Sequence, residues 1–319
     1  MKKILLALAL LPFFVLNAAN AKYQSEDISL NVIYNDTITP GDAIFARMIM
    51  SSKSNKKFKS EEKKASLQLI QNDKVIEQAP FYLTGKKKNQ QQVEMLCGIP
   101  VSLWLTENQF TLKIVIMANG KQMDFVLPST FVNREFNKEV LDLDEKNTSI
   151  KTNLSPERTA QIEKLNAILF TTNPANIYSF KKFICPTATP RYTAYCGDRR
   201  VYKYVNGKSS TSLHYGNDYG IPEGSEVRAC AEGKVVMAEN RISTGWSIVI
   251  EHLPGLYSLY YHLSSLNVKE GEYVKQGELI GKSGSTGLAT GPHLHWEIRL
   301  NASAVCPEFF MNDFCFEEN

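Results

Sequence analysis

The stretch from Gly291 to Leu300, GPHLHWEIRL, constrains this chain more than any other. Leu294, Trp296, Ile298 and Leu300 share one parity, and His293, His295, Glu297 and Arg299 share the other. A period of two belongs to a strand, because successive side chains leave opposite faces of the pleat. The first set makes a core face. The second sets two imidazoles side by side, about 7 Å apart at their Cα atoms. Only five histidines occur in 319 residues. Two of them on one strand face predict chemistry, with one ring holding a metal and its neighbour free for proton transfer.

Further ligands are found in SLHYGNDYG, which supplies His214 and Asp218. Fully extended, their Cα atoms would lie about 13 Å apart, too far to share an ion whose bonds are about 2 Å long. Gly216 and Asn217 between them, with Gly220 after, predict a bend that lets them converge. Two glycines and the flanking tyrosines speak against a helical pair. His214, Asp218 and His295 then make a two-histidine, one-carboxylate set that suits zinc and leaves a fourth position to water. In SLYYHLSSL, Tyr260 and His262 are expected on one strand face, with Leu259, Tyr261 and Leu263 on the other. That places His262 to face His293 across a groove. His252, in IEHLPG, is expected to be a surface or structural histidine. Arg200, Tyr202 and Tyr204 are groove or packing residues outside the catalytic set.

All five histidines lie beyond residue 176, where glycine-punctuated runs such as WSIVIEHL and GELIGKSG predict a compact antiparallel β domain over 176–312. Residues 22–135 also read as β. ISLNVIYN, AIFARMIM, ASLQLIQN and FTLKIVIMAN are separated by turn signals such as Pro40-Gly41-Asp42 and Asn119-Gly120. Phe110, Leu112, Ile114 and Ile116 alternate as in a half-buried strand. An immunoglobulin-like sandwich is expected, a barrel being the alternative. The lysine-rich stretches 53–64 and 85–92 are expected as solvated hairpin loops in preference to contacts with anionic envelope polymers. Residues 136–175 form a helical linker. Within it, SPERTAQIEKLNAILF carries a capping Ser155, Pro156 in the first turn and an apolar stripe of Ile162, Leu165 and Leu169. Residues 313–319 form a tail.

Residues 1–21 read as an export signal, with Lys2 and Lys3, the apolar run ILLALALLPFFVL and a small-x-small site at Ala19-Asn20-Ala21. The run is shorter than the roughly 20 residues of a membrane span, so a mature chain without an integral membrane segment is expected in the periplasm or cell envelope. The formal charge of +3 falls to +1 without Lys2 and Lys3, which gives no charge argument for nucleic acid. The six cysteines include no Cys-x-x-Cys pair. In an oxidising compartment Cys185 with Cys196, and Cys306 with Cys315, are close enough in sequence to suspect as disulfides. Cys230 is expected as a buried free thiol.

From about Tyr195 to Met311 the chain resembles the M23 metallopeptidase family, also called the LytM or lysostaphin type. His214 and Asp218 match the family's His-x₃-Asp motif, Tyr260-Tyr261-His262-Leu263 its Tyr-x-His-Leu element, and Gly284 to His295 its glycine-rich run into His-Leu-His. The resemblance implies a duplicated hybrid motif of antiparallel sheets flanking a groove. It also implies one Zn²⁺ on His214, Asp218 and His295, with His262 and His293 in catalysis. The activity implied is an endopeptidase cutting stems or crosslinks of peptidoglycan with zinc-activated water. Cys196, Cys230 and Cys306 depart from the family's usual residues, and added disulfides are expected at Cys196 and Cys306. The alternative is a non-catalytic LytM-type activator of cell-wall amidases, which would be expected to lack one or more of the five positions. The N-terminal β domain lies outside the resemblance and is left as the surface for an envelope partner.

Overall fold

The computed structural model describes residues 19–53, 58, 64–85, 91–106, 109–118, 120–314 and 316. Residues 1–18, Asn119, Cys315 and most of the two lysine-rich stretches lie outside them. The first strands are β1 (Ala19–Gln24), β2 (Ile28–Tyr34), β3 (Thr37–Ile38), β4 (Ala43–Ser52), β5 (Ala65–Gln71), β6 (Lys74–Pro80) and β7 (Tyr82–Leu83). They are followed by β8 (Gln92–Pro100), β9 (Thr111–Ala118), β10 (Lys121–Leu127) and β11 (Thr130–Phe131).

One sheet runs β1-β2-β4-β8-β7 and a second runs β10-β9-β5-β6, while β11 pairs in parallel with β3. Alternation decides the packing. Ile28, Leu30, Val32 and Tyr34 point inward from β2, and Leu67, Leu69, Leu112, Ile114 and Ile116 meet them from the facing sheet in one core. The result is a two-layer sandwich. Because β1 begins at Ala19, cleavage after Ala21 would leave Lys22–Gln24 of it paired to β2.

The next elements are β12 (Lys138–Asp142), α1 (Glu145–Lys151), α2 (Pro156–Leu169), β13 (Tyr192–Ala194), β14 (Arg199–Lys203), β15 (Ser209–Leu213) and β16 (Gly216–Tyr219). Then come β17 (Glu226–Arg228), β18 (Gly233–Arg241), β19 (Gly245–Leu253), β20 (Leu256–Leu266), β21 (Tyr273–Val274) and β22 (Leu279–Ser283). β23 (Leu294–Leu300), β24 (Ser303–Val305) and α3 (Pro307–Asn312) complete the set. The large sheet runs β13-β16-β23-β20-β19-β18-β21, with β22 joining β17 to β20. β12 is not helical: it pairs in parallel with β14, so the connecting segment becomes part of the C-terminal half. In α2, Ser155 Oγ accepts from Arg158 N at 3.3 Å, as a cap should. Its packed stripe is Leu165, Ile168 and Leu169, while Ile162 is left 38% exposed.

An aromatic joint fastens the two halves. Phe45 of β4 lies 4.9 Å from Phe314, 5.8 Å from Phe316 and 6.0 Å from Phe310 between ring centroids. Ala43, Phe45 and Leu96 thereby enter the core of the C-terminal half and not that of the sandwich. Polar contacts close the rim: Asn35 Nδ2 donates to Asp313 O at 3.1 Å, and Cys306 N donates to Gly41 O at 2.6 Å.

The cysteines correct one expectation. Cys185 and Cys196 are both free. Cys196 is buried beside Cys306, whose Sγ lies 3.7 Å from the Cys196 carbonyl oxygen. Packing between distant segments, not nearness in sequence, decides which thiols meet. Cys230 is a buried free thiol, and burial pushes its pKa up to about 12.

Candidate active site

Three neighbouring strands carry the site. Asp218 in β16 is the register partner of His295 in β23, which is in turn the partner of Tyr261 in β20. Adjacent strands lie about 4.8 Å apart, so side chains on one face of these three must touch. Leu294, Trp296, Ile298 and Leu300 fill the core beneath. His214 arrives from the corner between β15 and β16, held by His214 N to Asp198 O at 2.9 Å and Gly197 N to His214 O at 2.7 Å. That corner makes the convergence, in place of the bend expected at Gly216-Asn217. Gly216 is needed for another reason: a Cβ there would sit 2.3 Å from Trp296 O, and its absence lets β16 close on β23.

His214 Nε2, Asp218 Oδ1 and His295 Nδ1 converge. The His214–Asp218 separation is 3.1 Å, His214–His295 is 3.0 Å and His295–Asp218 is 2.7 Å. Around one tetrahedral zinc with bonds of about 2.1 Å, ligand atoms sit roughly 3.4 Å apart, so a small outward movement fits the ion. The rest of each group is already engaged. His214 Nδ1 donates to Tyr195 O at 2.9 Å, and Asp218 Oδ2 accepts from Arg200 at 2.9 Å. His295 Nε2 meets Glu297 Oε1 at 2.9 Å. Once the ring protons facing Asp218 are released, each ligand presents one lone pair to a common centre, a donor set that fits zinc.

Charge follows geometry. Burial opposes the carboxylate of Asp218, but hydrogen bonds from His214 and His295 outweigh it and hold its pKa well below the usual range. Burial likewise opposes the His295 imidazolium, yet Asp218 and Glu297 lift that pKa to about 9. Arg299 pairs with Glu297 at 2.6 Å and stacks 4.6 Å from the Tyr215 ring, so the orienting carboxylate is itself fixed. Glu297→Ala is therefore expected to lower metal affinity by about 10- to 100-fold, with Glu297→Gln retaining most of it. Competition against a chromogenic chelator reads the difference.

His262 and His293 stand beside these three, with ring centroids 4.7 Å apart. His262 Nδ1 donates to Thr286 O and His293 Nδ1 to Gly291 O, both at 2.8 Å. These partners assign the Nδ1–H tautomer to the neutral rings and leave both Nε2 lone pairs open. Burial, then the neighbouring His293 and His295, depress His262 to about 3. Burial also lowers His293.

The expected alternation in β20 breaks here. His262 has φ +60°, an uncommon backbone state for a residue with a Cβ. The strand changes phase, so Tyr260 is in the core while Tyr261 stacks on His295 at 5.6 Å, its ring nearly parallel. Tyr261 and His262 both line the groove. Gly287, at φ +73°, would place a Cβ 2.4 Å from Gly245 N, so glycine is required there to bring Thr286 against His262.

His252 is not on the surface. It is fully buried, contacts Glu232 O at 2.8 Å and Ser258 Oγ at 2.7 Å, and is depressed to about 4 by burial.

The groove measures about 450 Å³. Arg200 and Tyr202 line it, together with Glu139 and Lys151 from the connecting segment. The chain alone gave no role to Glu139, Lys151 or Glu297. Only Glu297 carried a signal, two residues from His295 on the same strand face.

Residues 212–307 match the model of peptidase family M23. The DD-carboxypeptidase/endopeptidase Mpg of Neisseria meningitidis serogroup B is 45% identical over 95 residues, 30% of this chain and 22% of that protein. The peptidoglycan DD-endopeptidase ShyA of Vibrio cholerae is 44% identical over 92 residues, 29% of this chain and 21% of that one. The chain thus spans about a fifth of the length of these curated relatives. A solved Pseudomonas aeruginosa structure, provisionally described as a peptidase M23, aligns over 87% of this chain and 96% of its own. Its TM-score is 0.52 at 21% identity, a likeness of fold.

Proposed function

We propose, from the premise that residues 212–307 form a domain of peptidase family M23, that this chain is an exported zinc endopeptidase of peptidoglycan. The observation that carries the reading is the convergence of three ligand atoms beside two neutral imidazoles on the wall of one groove. The bond proposed is a D,D crosslink, in keeping with the names of the relatives that are 44–45% identical over this domain. An amidase activator without activity of its own is not favoured, since it has no need of this donor set.

His214, Asp218 and His295 would hold the metal, which when bound supplies Lewis-acid polarisation of the scissile carbonyl and a lowered pKa for water. The rest falls to the chain. His293 Nε2 lies 3.7 Å from Asp218 Oδ1, so a water beside the ligands is within its reach. Neutral at pH 7, it can take that proton and return it to the departing amine. His262, neutral and with its Nε2 lone pair open to the groove, would orient the attacking water by accepting a hydrogen bond from it. Tyr261 and Glu297 keep His295 in plane.

The test uses the mature chain on purified peptidoglycan with mass spectrometry of the muropeptides. Crosslinks should be cut by the zinc-loaded protein, spared after chelation and cut again on readdition of zinc. Cleavage indifferent to chelator, or none under any condition, would refute the reading.

A further inference from the structure

The connecting segment brings a cation to the groove that the metal chemistry does not use. Helix α1 is pinned there at several points. Asp144 accepts from Asn147 N at 2.7 Å, Asn147 Nδ2 donates to Ala289 O at 3.3 Å, and Val205 N donates to Thr148 Oγ1 at 3.4 Å. Its last residue, Lys151, is half-buried, lines the groove and sets its ammonium 4.1 Å above the Tyr202 ring.

Nearby carboxylates are taken. Glu139 and Asp218 pair with Arg200, and Glu297 pairs with Arg299. The charged groups acting on Lys151 are Arg158 and Arg200, both cations, and they reinforce the effect of burial in lowering its pKa. A half-buried ammonium among like charges, with no carboxylate partner among the described residues, is a site for an anion from outside.

We propose that Lys151 binds a carboxylate of the peptide lying in the groove, and that it makes the protein prefer substrates with that carboxylate free over those with it amidated. This rests on the peptidase reading for its substrate. It adds a specificity residue from outside the matched segment 212–307.

The probe is one synthetic crosslinked stem-peptide fragment in three forms: all carboxylates free, only the C-terminal one amidated, or only the internal ones amidated. Binding to the zinc-loaded mature chain is read by fluorescence anisotropy in a His293→Ala background, and turnover separately in the wild type. One amidated form should bind about tenfold more weakly, the size of one charge-assisted contact, and its identity tells which carboxylate is held. Lys151→Met should abolish that preference and Lys151→Arg should keep it. Equal binding of all three forms, or a preference that survives Lys151→Met, would overturn the subsite. Discriminated binding without any turnover would sink the peptidase reading and leave the subsite standing.

Discussion

His293→Ala is expected to keep its metal and lose hydrolysis by about 10²- to 10⁴-fold, the contribution of one positioned proton-transfer group. Asp218→Ala is expected to lose both. The difference lies in which lone pairs converge. His293 directs Nε2 toward the space beside Asp218 but gives no atom to the triad, so its removal leaves the three donors in place. Asp218 carries the oxygen that meets both histidine nitrogens, and its second oxygen pairs with Arg200. Without it two rings and a guanidinium face one another. Metal affinity should then fall by more than about a hundredfold, beyond what the loss of an orienting contact costs. Metal content after dialysis and turnover of peptidoglycan, measured on both variants, test the division. If both retain metal and activity, it fails.

Phe45→Ala should destabilise the whole protein by about 3–5 kcal/mol, as for a fully buried aromatic ring that leaves a cavity behind. Phe45 belongs to the sandwich by sequence and to the C-terminal core by packing. Its loss should therefore lower the unfolding midpoint of both halves together. Urea unfolding followed by tryptophan fluorescence and by far-ultraviolet circular dichroism gives the readout. Coincident transitions in the wild type and a shared downward shift in the variant are expected. Two separate transitions, with only one moved, would contradict a common joint. The same joint argues for assaying the full mature chain, since residues 176–319 alone would expose Phe309, Phe310, Phe314 and Phe316.

Strand character was legible wherever alternation is local. The apolar parity of residues 294–300 and of Leu112, Ile114 and Ile116 fixes which side is buried, and the structure packs both sets into cores. The proximity of His214, Asp218 and His295 was suggested by donor chemistry and family likeness, while the reason offered for it, a bend at Gly216, was mistaken. Glycine's use there depends on Trp296, 80 residues away, and no local pattern can reveal it. The phase change at His262 was hidden for a similar cause, since a left-handed residue inside a strand leaves no mark on hydropathy. Helix α1 escaped notice because seven residues make too short a period to read. The segment 136–142 reads as linker in the sequence because its strand forms only by pairing with β14.

The left-handed backbone at His262 has a further meaning. Glycine would adopt that conformation at no steric expense, whereas a residue with a Cβ stores roughly 1–2 kcal/mol of strain there. The conformation persists because Thr244 O accepts from the His262 backbone N–H and Thr286 O accepts from its ring Nδ1. Selection for heat resistance alone would discard this ring early, so durability and the proposed chemistry pull in opposite directions at a single position.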